Sequence, residues 1–361
     1  MTTRPFDEDR PPIDGPRRRR SGGPGGGKRG GRRGDPNATV PEAEFTSYYG
    51  HNIVKPPPWE WPIPAYLFLG GLAAGSGLVA AGAHATGKPR LRSRSRITAL
   101  AAVAAGGAAL AADLGRPERA LNMMRTVKLT SPMSVGSWIL SGFGAFTGAA
   151  IGLELVRPRL KTGSGLARAA GVADGLASAG SAFFAPPLAA YTAVLLSDTA
   201  APTWHESYRE LPFVFVSSAL AAGTGMSMIT SPVSETNGAV RQLAVAGAVC
   251  ELGVGELMKR RLGELAEPLE QPPAKRWHKT ATLLTAAGAI GAAIFGGTRI
   301  GAALSGAALV GGSLATRFGI FHAGMTSAKD PRYTVRPQRA RAAAAAEQGR
   351  GITQPGGEWP T

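Results

Sequence analysis

The stretch IPAYLFLGGLAAGSGLVAAGAHAT, residues 63–86, decides what kind of fold this chain adopts. It contains no Asp, Glu, Lys or Arg, and a helix needs about 20 consecutive, mostly apolar residues to cross a bilayer. We therefore predict a transmembrane helix here. Long uncharged stretches of this kind exclude a simple soluble globular protein.

Seven further stretches share this length and character, so the predicted fold is an all-α, polytopic membrane protein with eight transmembrane helices. The predicted spans are residues 63–86, 97–114, 131–156, 168–198, 211–230, 238–258, 280–298 and 300–322. Several spans are dense in Ala and Gly, and small residues let helix backbones approach closely in lipid. Pro186 and Pro187 lie inside the fourth span and are expected to kink it.

The first span has a counterpart 148 residues later. PAYLFLGGLAAGSG at 64–77 aligns with PFVFVSSALAAGTG at 212–225, with the proline and the Leu-Ala-Ala-Gly run in register. Chance is a rival explanation because Ala and Gly are abundant, but the shared proline and hydroxyl positions favour duplication. The prediction is two four-helix halves in the same orientation, at about 59–200 and 201–328.

The two ends of the chain differ in composition from the helical domain at 59–328. The chain of 361 residues has 40 Lys and Arg against 24 Asp and Glu, a formal net charge of +16, and both ends are basic. Residues 1–45 lack apolar periodicity, and the C-terminal tail is basic, Ala-rich and has prolines near its end. We therefore predict disordered tails at 1–58 and 329–361, where the neighbourhood of residues 342–347 could form a short helix. We interpret the Arg/Gly-rich N-terminal tail as a solvated segment near anionic lipid, rather than a nucleic-acid binder.

Eight spans place both termini on one membrane face, here called face A, and the opposite face is called face B. Both faces have basic loops, and face A is modestly richer in Lys and Arg. The positive-inside rule therefore predicts that face A is cytoplasmic, in the plasma membrane.

Polar and aromatic residues gather at the span ends on face A. Trp59 and Tyr66 enter the first span, and Asp113 and Arg116 end the second. Trp and Tyr are enriched at membrane interfaces in any case, and Asp113 with Arg116 could be a local ion pair at a helix end. We nevertheless single out this surface as the candidate functional site.

Four ionisable residues fall within or beside other spans, where a charge is costly and often functional. Carboxylates inside a bundle can relay protons, and they can also form structural pairs with arginines. Both interpretations stay open for Glu154, Asp174, Glu251 and Arg317.

The histidines and the cysteine argue against a resident metal. A haem with two histidine ligands needs two histidines facing each other at one depth, and none of the five is placed mid-span with such a partner. The single cysteine, Cys250, excludes a disulfide within the chain and a multi-cysteine cluster. We expect no haem, no metal and no self-contained catalytic constellation.

Two motifs resemble the NrfD-like family, the membrane subunits of polysulfide reductases. The first is WEWPIPAYLFLGGLAAGS at 59–76. The second is DLGRPERAL at 113–121 followed by TSPMSVGSW at 130–138. The resemblance covers roughly residues 48–330, and the second motif is the more specific.

This resemblance implies a haem-free membrane subunit that binds menaquinone or ubiquinone near the start of the first helix. It implies partners on face A: a four-cluster, ferredoxin-like iron–sulfur subunit and a molybdopterin-type catalytic subunit for polysulfide, nitrite or formate. The residues carried over as the quinone neighbourhood are Trp59, Tyr66, Asp113 and Arg116, with His51 and Asn52 just before the first helix.

Two other functions remain open from the residues alone. Parallel repeats and a proline-containing helix also occur in secondary transporters. The chain could instead be a passive anchor that holds a redox enzyme at the membrane without quinone chemistry.

Overall fold

The computed structural model describes residues 52–113, 122, 124–125 and 127–347, and this part of the chain contains helices and no strand. All the helices belong to the unit that begins at Val54. They are α1 Pro62–Ala85, α2 Pro89–Asp113, α3 Pro132–Val156, α4 Gly165–Ser197, α5 Pro202–Glu206, α6 Leu211–Thr230, α7 Val233–Thr236, α8 Ala239–Leu262, α9 Ala274–Phe295, α10 Arg299–Lys329 and α11 Arg332–Glu347. A 3₁₀ segment, Gly263–Glu270, joins α8 to α9.

Each predicted span coincides with one of the eight long helices. Six helical segments of the described chain are long and apolar enough to cross a membrane: α1, α2, α4, α6, α10, and α3 with its 3₁₀ extension to Arg159. The chain is therefore a multi-pass membrane protein. α8 and α9 are not in that set, so the number of eight spans stays a prediction.

Several helix limits differ from the predicted ones. α2 begins at Pro89 rather than at residue 97, because its first turns carry arginines that reach polar partners at face B. α4 continues as one helix through Pro186 and Pro187. Residues 332–347, placed in the C-terminal tail by the sequence, form α11, where the Tyr333 hydroxyl accepts a hydrogen bond from Gln271 at 2.8 Å.

α1 and α6 cross in close contact at positions 148 residues apart. A side chain at Gly75 would overlap the backbone of Ala219, and one at Gly223 would overlap the backbone of Gly75. A Cβ on Gly71 would lie 3.4 Å from that of Ala219. Only small residues permit this approach of two backbones.

The remaining long helices surround this crossing in a repeated order. α1 packs on α2 and α4, and α3 packs on α4. α6 likewise packs on α8 and α10, and α9 packs on α10. The helix ends meet at two faces, and the start of α1 lies at face A.

Candidate functional site

Aromatic side chains build the entrance of α1 at face A. Trp59 is half-buried, and its ring centroid lies 5.9 Å from that of Trp204. Trp204 is fully buried, and its indole N–H donates to the carbonyl of Ile320 at 2.7 Å. Gly324 gives the Trp204 ring its space, because any side chain there would overlap it. The Trp59 ring therefore rests on a fixed aromatic platform.

Tyr66 lies just over one turn into α1 and is fully buried. Its hydroxyl forms a hydrogen bond with the hydroxyl of Tyr191 on α4. Gly106 of α2 lies against the Tyr66 ring, and a side chain at Gly136 of α3 would overlap the Tyr191 ring. The tyrosine pair is thus held by α1, α2, α3 and α4 together.

Asp113 is the last residue of α2 and is half-buried. Its carboxylate lies close to the backbone of Glu60, between Trp59 and Trp61. The end of α2 therefore lies next to the start of α1, which places a carboxylate beside the aromatic entrance.

The structure thus brings three of the predicted residues, Trp59, Tyr66 and Asp113, to one end of the helix bundle. His51 and Arg116 lie outside the described residues, and Asn52 belongs to the separate unit that ends at Ile53. Tyr191 was missed by the sequence argument because a lone tyrosine within an apolar span carries no motif.

Glu154 and Asp174 meet arginines near face B. Asp174 is fully buried and lies 2.7 Å from Arg96 and 2.7 Å from Arg157. Glu154 lies 3.0 Å from Arg96 and 3.2 Å from Arg92. This network joins α2, α3 and α4, and paired buried charges of this kind favour the structural interpretation. A role in proton transfer for these two carboxylates stays a prediction.

Arg317 of α10 is fully buried where α1 and α6 cross. Its side chain donates to the carbonyls of Phe215, at 2.9 Å, and of Leu67, at 3.4 Å. Its guanidinium carbon lies 3.7 Å from the centre of the Phe215 ring, a cation–π contact. Leu67 and Phe215 are again 148 residues apart in the chain, so one arginine contacts equivalent positions of the predicted repeat.

Glu251 of α8 lies close to Arg317 and is almost fully buried. Its carboxylate accepts a hydrogen bond from the Thr316 hydroxyl at 2.6 Å. Glu251 is the only carboxylate among the four speculative residues that has no ion pair within 4.0 Å among the described residues.

The described residues contain no candidate metal-binding site. No group of three or more His, Cys, Asp or Glu side chains within them is arranged to hold a metal ion. The protein atoms at the candidate site are instead phenol hydroxyls, a carboxylate and indole rings. Such groups bind a flat organic ring with polar edges, since they offer aromatic surface and hydrogen bonds together.

The resemblance of the sequence to the NrfD-like family can be tested by comparison with known proteins. No curated protein matches the chain. The family model described as "Polysulphide reductase, NrfD" matches residues 51–265, which is more than half of the chain and includes α1 through α8. Both motifs on which the resemblance rests fall inside the matched region. The predicted resemblance is confirmed: the chain belongs to the polysulphide reductase NrfD family.

Proposed function

We propose that this chain is the haem-free, quinone-reactive membrane subunit of a respiratory oxidoreductase. It exchanges electrons with an iron–sulfur partner subunit, and that partner connects it to a catalytic subunit of the polysulfide, nitrite or formate type. The observation that carries the proposal is the convergence of Trp59, Tyr66 and Asp113 at one end of the bundle, in a chain of the NrfD family.

The residues at the α1 entrance fit a quinone head group. A bound quinone accepts or gives up two electrons together with two protons, so an acid/base group must lie nearby. Asp113 supplies a carboxylate at the membrane face, close to the backbone of Glu60. The Trp59 and Trp204 rings supply aromatic surface, and the paired hydroxyls of Tyr66 and Tyr191 supply hydrogen bonding.

The proposal includes eight spans arranged as two parallel halves. The repeated packing order supports it, as do the contacts of Gly75 with Gly223 and of Arg317 with Leu67 and Phe215. In this arrangement α8 and α9 cross the membrane with their charged turns at face A.

The chain is proposed to lie in the plasma membrane. Its partner subunits are proposed to dock on face A. There α5, the 3₁₀ segment Gly263–Glu270 and α11 surround a groove of about 440 Å³. Its rim carries His205, Glu206 and Arg341, and Arg341 pairs with Glu206 at 3.1 Å. A polar rim close to the α1 entrance suits a soluble partner that must approach a bound quinone.

The test is the variant Asp113→Asn, which keeps the shape of the side chain and removes its ability to exchange a proton. We expect quinone turnover to fall at least roughly tenfold, in line with the loss of a general acid/base. Turnover is measured in native membranes. Assembly is measured in parallel, by affinity purification in mild detergent and identification of the co-purifying iron–sulfur and molybdopterin proteins.

The matched control is Asp330→Asn, which removes another half-buried carboxylate at the same end of the bundle. The Arg332 guanidinium holds the pKa of Asp330 below its usual range, so this aspartate is a paired anion at neutral pH. It should keep full turnover. Unchanged turnover in the Asp113 variant would show that Asp113 is not the acid/base group. A chain that purifies without partner proteins would favour the transporter hypothesis.

A further inference from the structure

A second cavity lies among the helices of the second half of the chain, at 201–328. It has a volume of about 240 Å³ and is enclosed by α6, α8, α9, α10 and the 3₁₀ segment Gly263–Glu270. Much of its wall is apolar, with Val214, Met258 and Ile320 among the lining residues. Polar side chains are found at its inner end and at its mouth.

The inner end carries two buried polar atoms without a partner. Glu251 is 4% exposed, and only one of its carboxylate oxygens is hydrogen-bonded, to Thr316 at 2.6 Å. The other oxygen, Oε2, has no hydrogen-bond partner within the described residues, and neither does the Thr285 hydroxyl, which is 1% exposed. Leaving such groups unsatisfied inside a protein costs stability. A cavity of this size with polar partners is suited to hold water.

The mouth of the cavity opens at face A. Glu256 and Lys259, on the last turns of α8, and His278 and Thr282, on the first turns of α9, line it. Glu256 and Thr282 are exposed. Gly255 also lines the cavity, and a side chain there would meet no other atom within 4 Å, so the opening is unobstructed. This polar entrance favours water over a lipid tail.

Charged and polar groups from several helices surround Glu251 or line its cavity. Arg317 of α10 and the Ser218 hydroxyl of α6 lie near the Glu251 carboxylate. His278 from α9, and Glu256 and Lys259 from α8 itself, line the same cavity. Arg317 remains bound to backbone carbonyls of α1 and α6, and its Nη1 has no partner in the described chain. Glu251 is therefore near a compensating charge without being fixed in an ion pair.

We propose that Glu251 is a proton-exchanging group that water reaches from face A through this cavity. The carboxylate takes up a proton from the cavity water and becomes a neutral carboxyl, and it returns the proton by the same route. No electron moves in this step. The exchange requires neither quinone nor a partner subunit, so it can be tested whether or not the proposed function is correct.

The experiment is infrared spectroscopy of the full chain in proteoliposomes. The carbonyl stretch of a protonated carboxyl is titrated with pH, and the part of the band that Glu251→Gln removes is assigned to Glu251. We expect this band to grow as the pH falls. After transfer to D₂O we expect it to shift promptly, because water in the cavity exchanges the carboxyl proton.

Two leucine variants on the same helix test the route. Gly255→Leu fills the mouth, whereas Gly253→Leu places the same side chain on α8 outside the cavity lining, at a position where an added Cβ also meets no atom within 4 Å. The first should slow the D₂O shift several-fold, and the second should leave it unchanged. Ala281→Leu narrows the cavity from α9 and replaces Gly255→Leu if that variant does not fold.

Three results would overturn the proposal. A band that Glu251→Gln does not alter at any pH would show that the carboxylate stays ionised beside Arg317. A Glu251 band that does not shift in D₂O would show a sealed site. Equal exchange rates in the Gly255 and Gly253 variants would show that protons do not use this mouth.

Discussion

The residues at the α1 entrance show which parts of the candidate site a sequence motif can reveal and which it cannot. The placement of Trp59, Tyr66 and Asp113 at one end of the bundle could be predicted from sequence, because each sits at a predicted span end within a recognisable motif. Their role in binding quinone stays a prediction. Tyr191 could not be predicted, because nothing in the chain around it indicates that its hydroxyl meets that of Tyr66 across α1 and α4. A contact between residues 125 positions apart depends on how the helices pack.

The tyrosine pair gives a prediction at this scale. Tyr66→Phe or Tyr191→Phe alone leaves the other hydroxyl buried without its partner, so each should destabilise the fold by about 1–3 kcal/mol. The double variant removes both hydroxyls and should lose less than the sum of the single losses. Thermal unfolding in detergent measures all four proteins. Strictly additive losses would mean that the two hydroxyls do not depend on each other.

At the scale of helices, the apolar composition predicted where each helix lies better than it predicted where each helix begins and ends. All eight long helices lie where apolar stretches were found, since burial in lipid demands such stretches. The predicted helix limits were wrong where polar residues extend a helix beyond its apolar part. α2 begins about two turns earlier than predicted, in a segment that carries arginines, and α10 continues to Lys329. Those turns are stabilised by tertiary partners, such as Glu154 for Arg92, that hydropathy does not reveal.

The crossing of α1 and α6 can be tested with one glycine pair. Gly75→Leu pushes a large side chain into the Ala219 backbone, and we expect a loss of about 3 kcal/mol or more because two rigid backbones must separate. Gly82→Leu is the control, since Gly82 lies on the same helix, is exposed, and an added Cβ there meets no atom within 4 Å. Thermal stability in detergent is compared for both. Equal stability of the two variants would contradict the close crossing.

At the scale of the whole molecule, the proposed repeat accounts for contacts that the sequence of a single helix does not explain. The 148-residue offset was visible as an alignment of two segments, but the alignment did not reveal that these segments touch each other. In the structure the equivalent positions meet at Gly75 and Gly223, and Arg317 binds the equivalent carbonyls of Leu67 and Phe215. In the proposed repeat, one unit packs on its own copy and buries the same surface twice, which would account for the small residues at both positions.

The number of spans is the prediction that belongs to this scale. If α8 and α9 cross the membrane, the segment between them lies at face A, while the loop between α3 and α4 lies at face B. Glu267 and Lys161 are exposed residues of these two segments. Cys250 is the chain's only cysteine, so Cys250→Ser gives a thiol-free background. Single cysteines at positions 267 and 161 can then be labelled with a membrane-impermeant thiol reagent.

We expect the two cysteines to be labelled from opposite sides of sealed vesicles, with Glu267→Cys on the same side as Arg341→Cys in α11. Thr203 donates to the carbonyl of Leu265 at 2.9 Å, and Arg341 pairs with Glu206, so both segments are held against α5. Labelling of positions 267 and 161 from the same side would mean that α8 and α9 do not span. The charged mouth beside Glu251 would then lie away from face A, and the route proposed for its protons would be wrong.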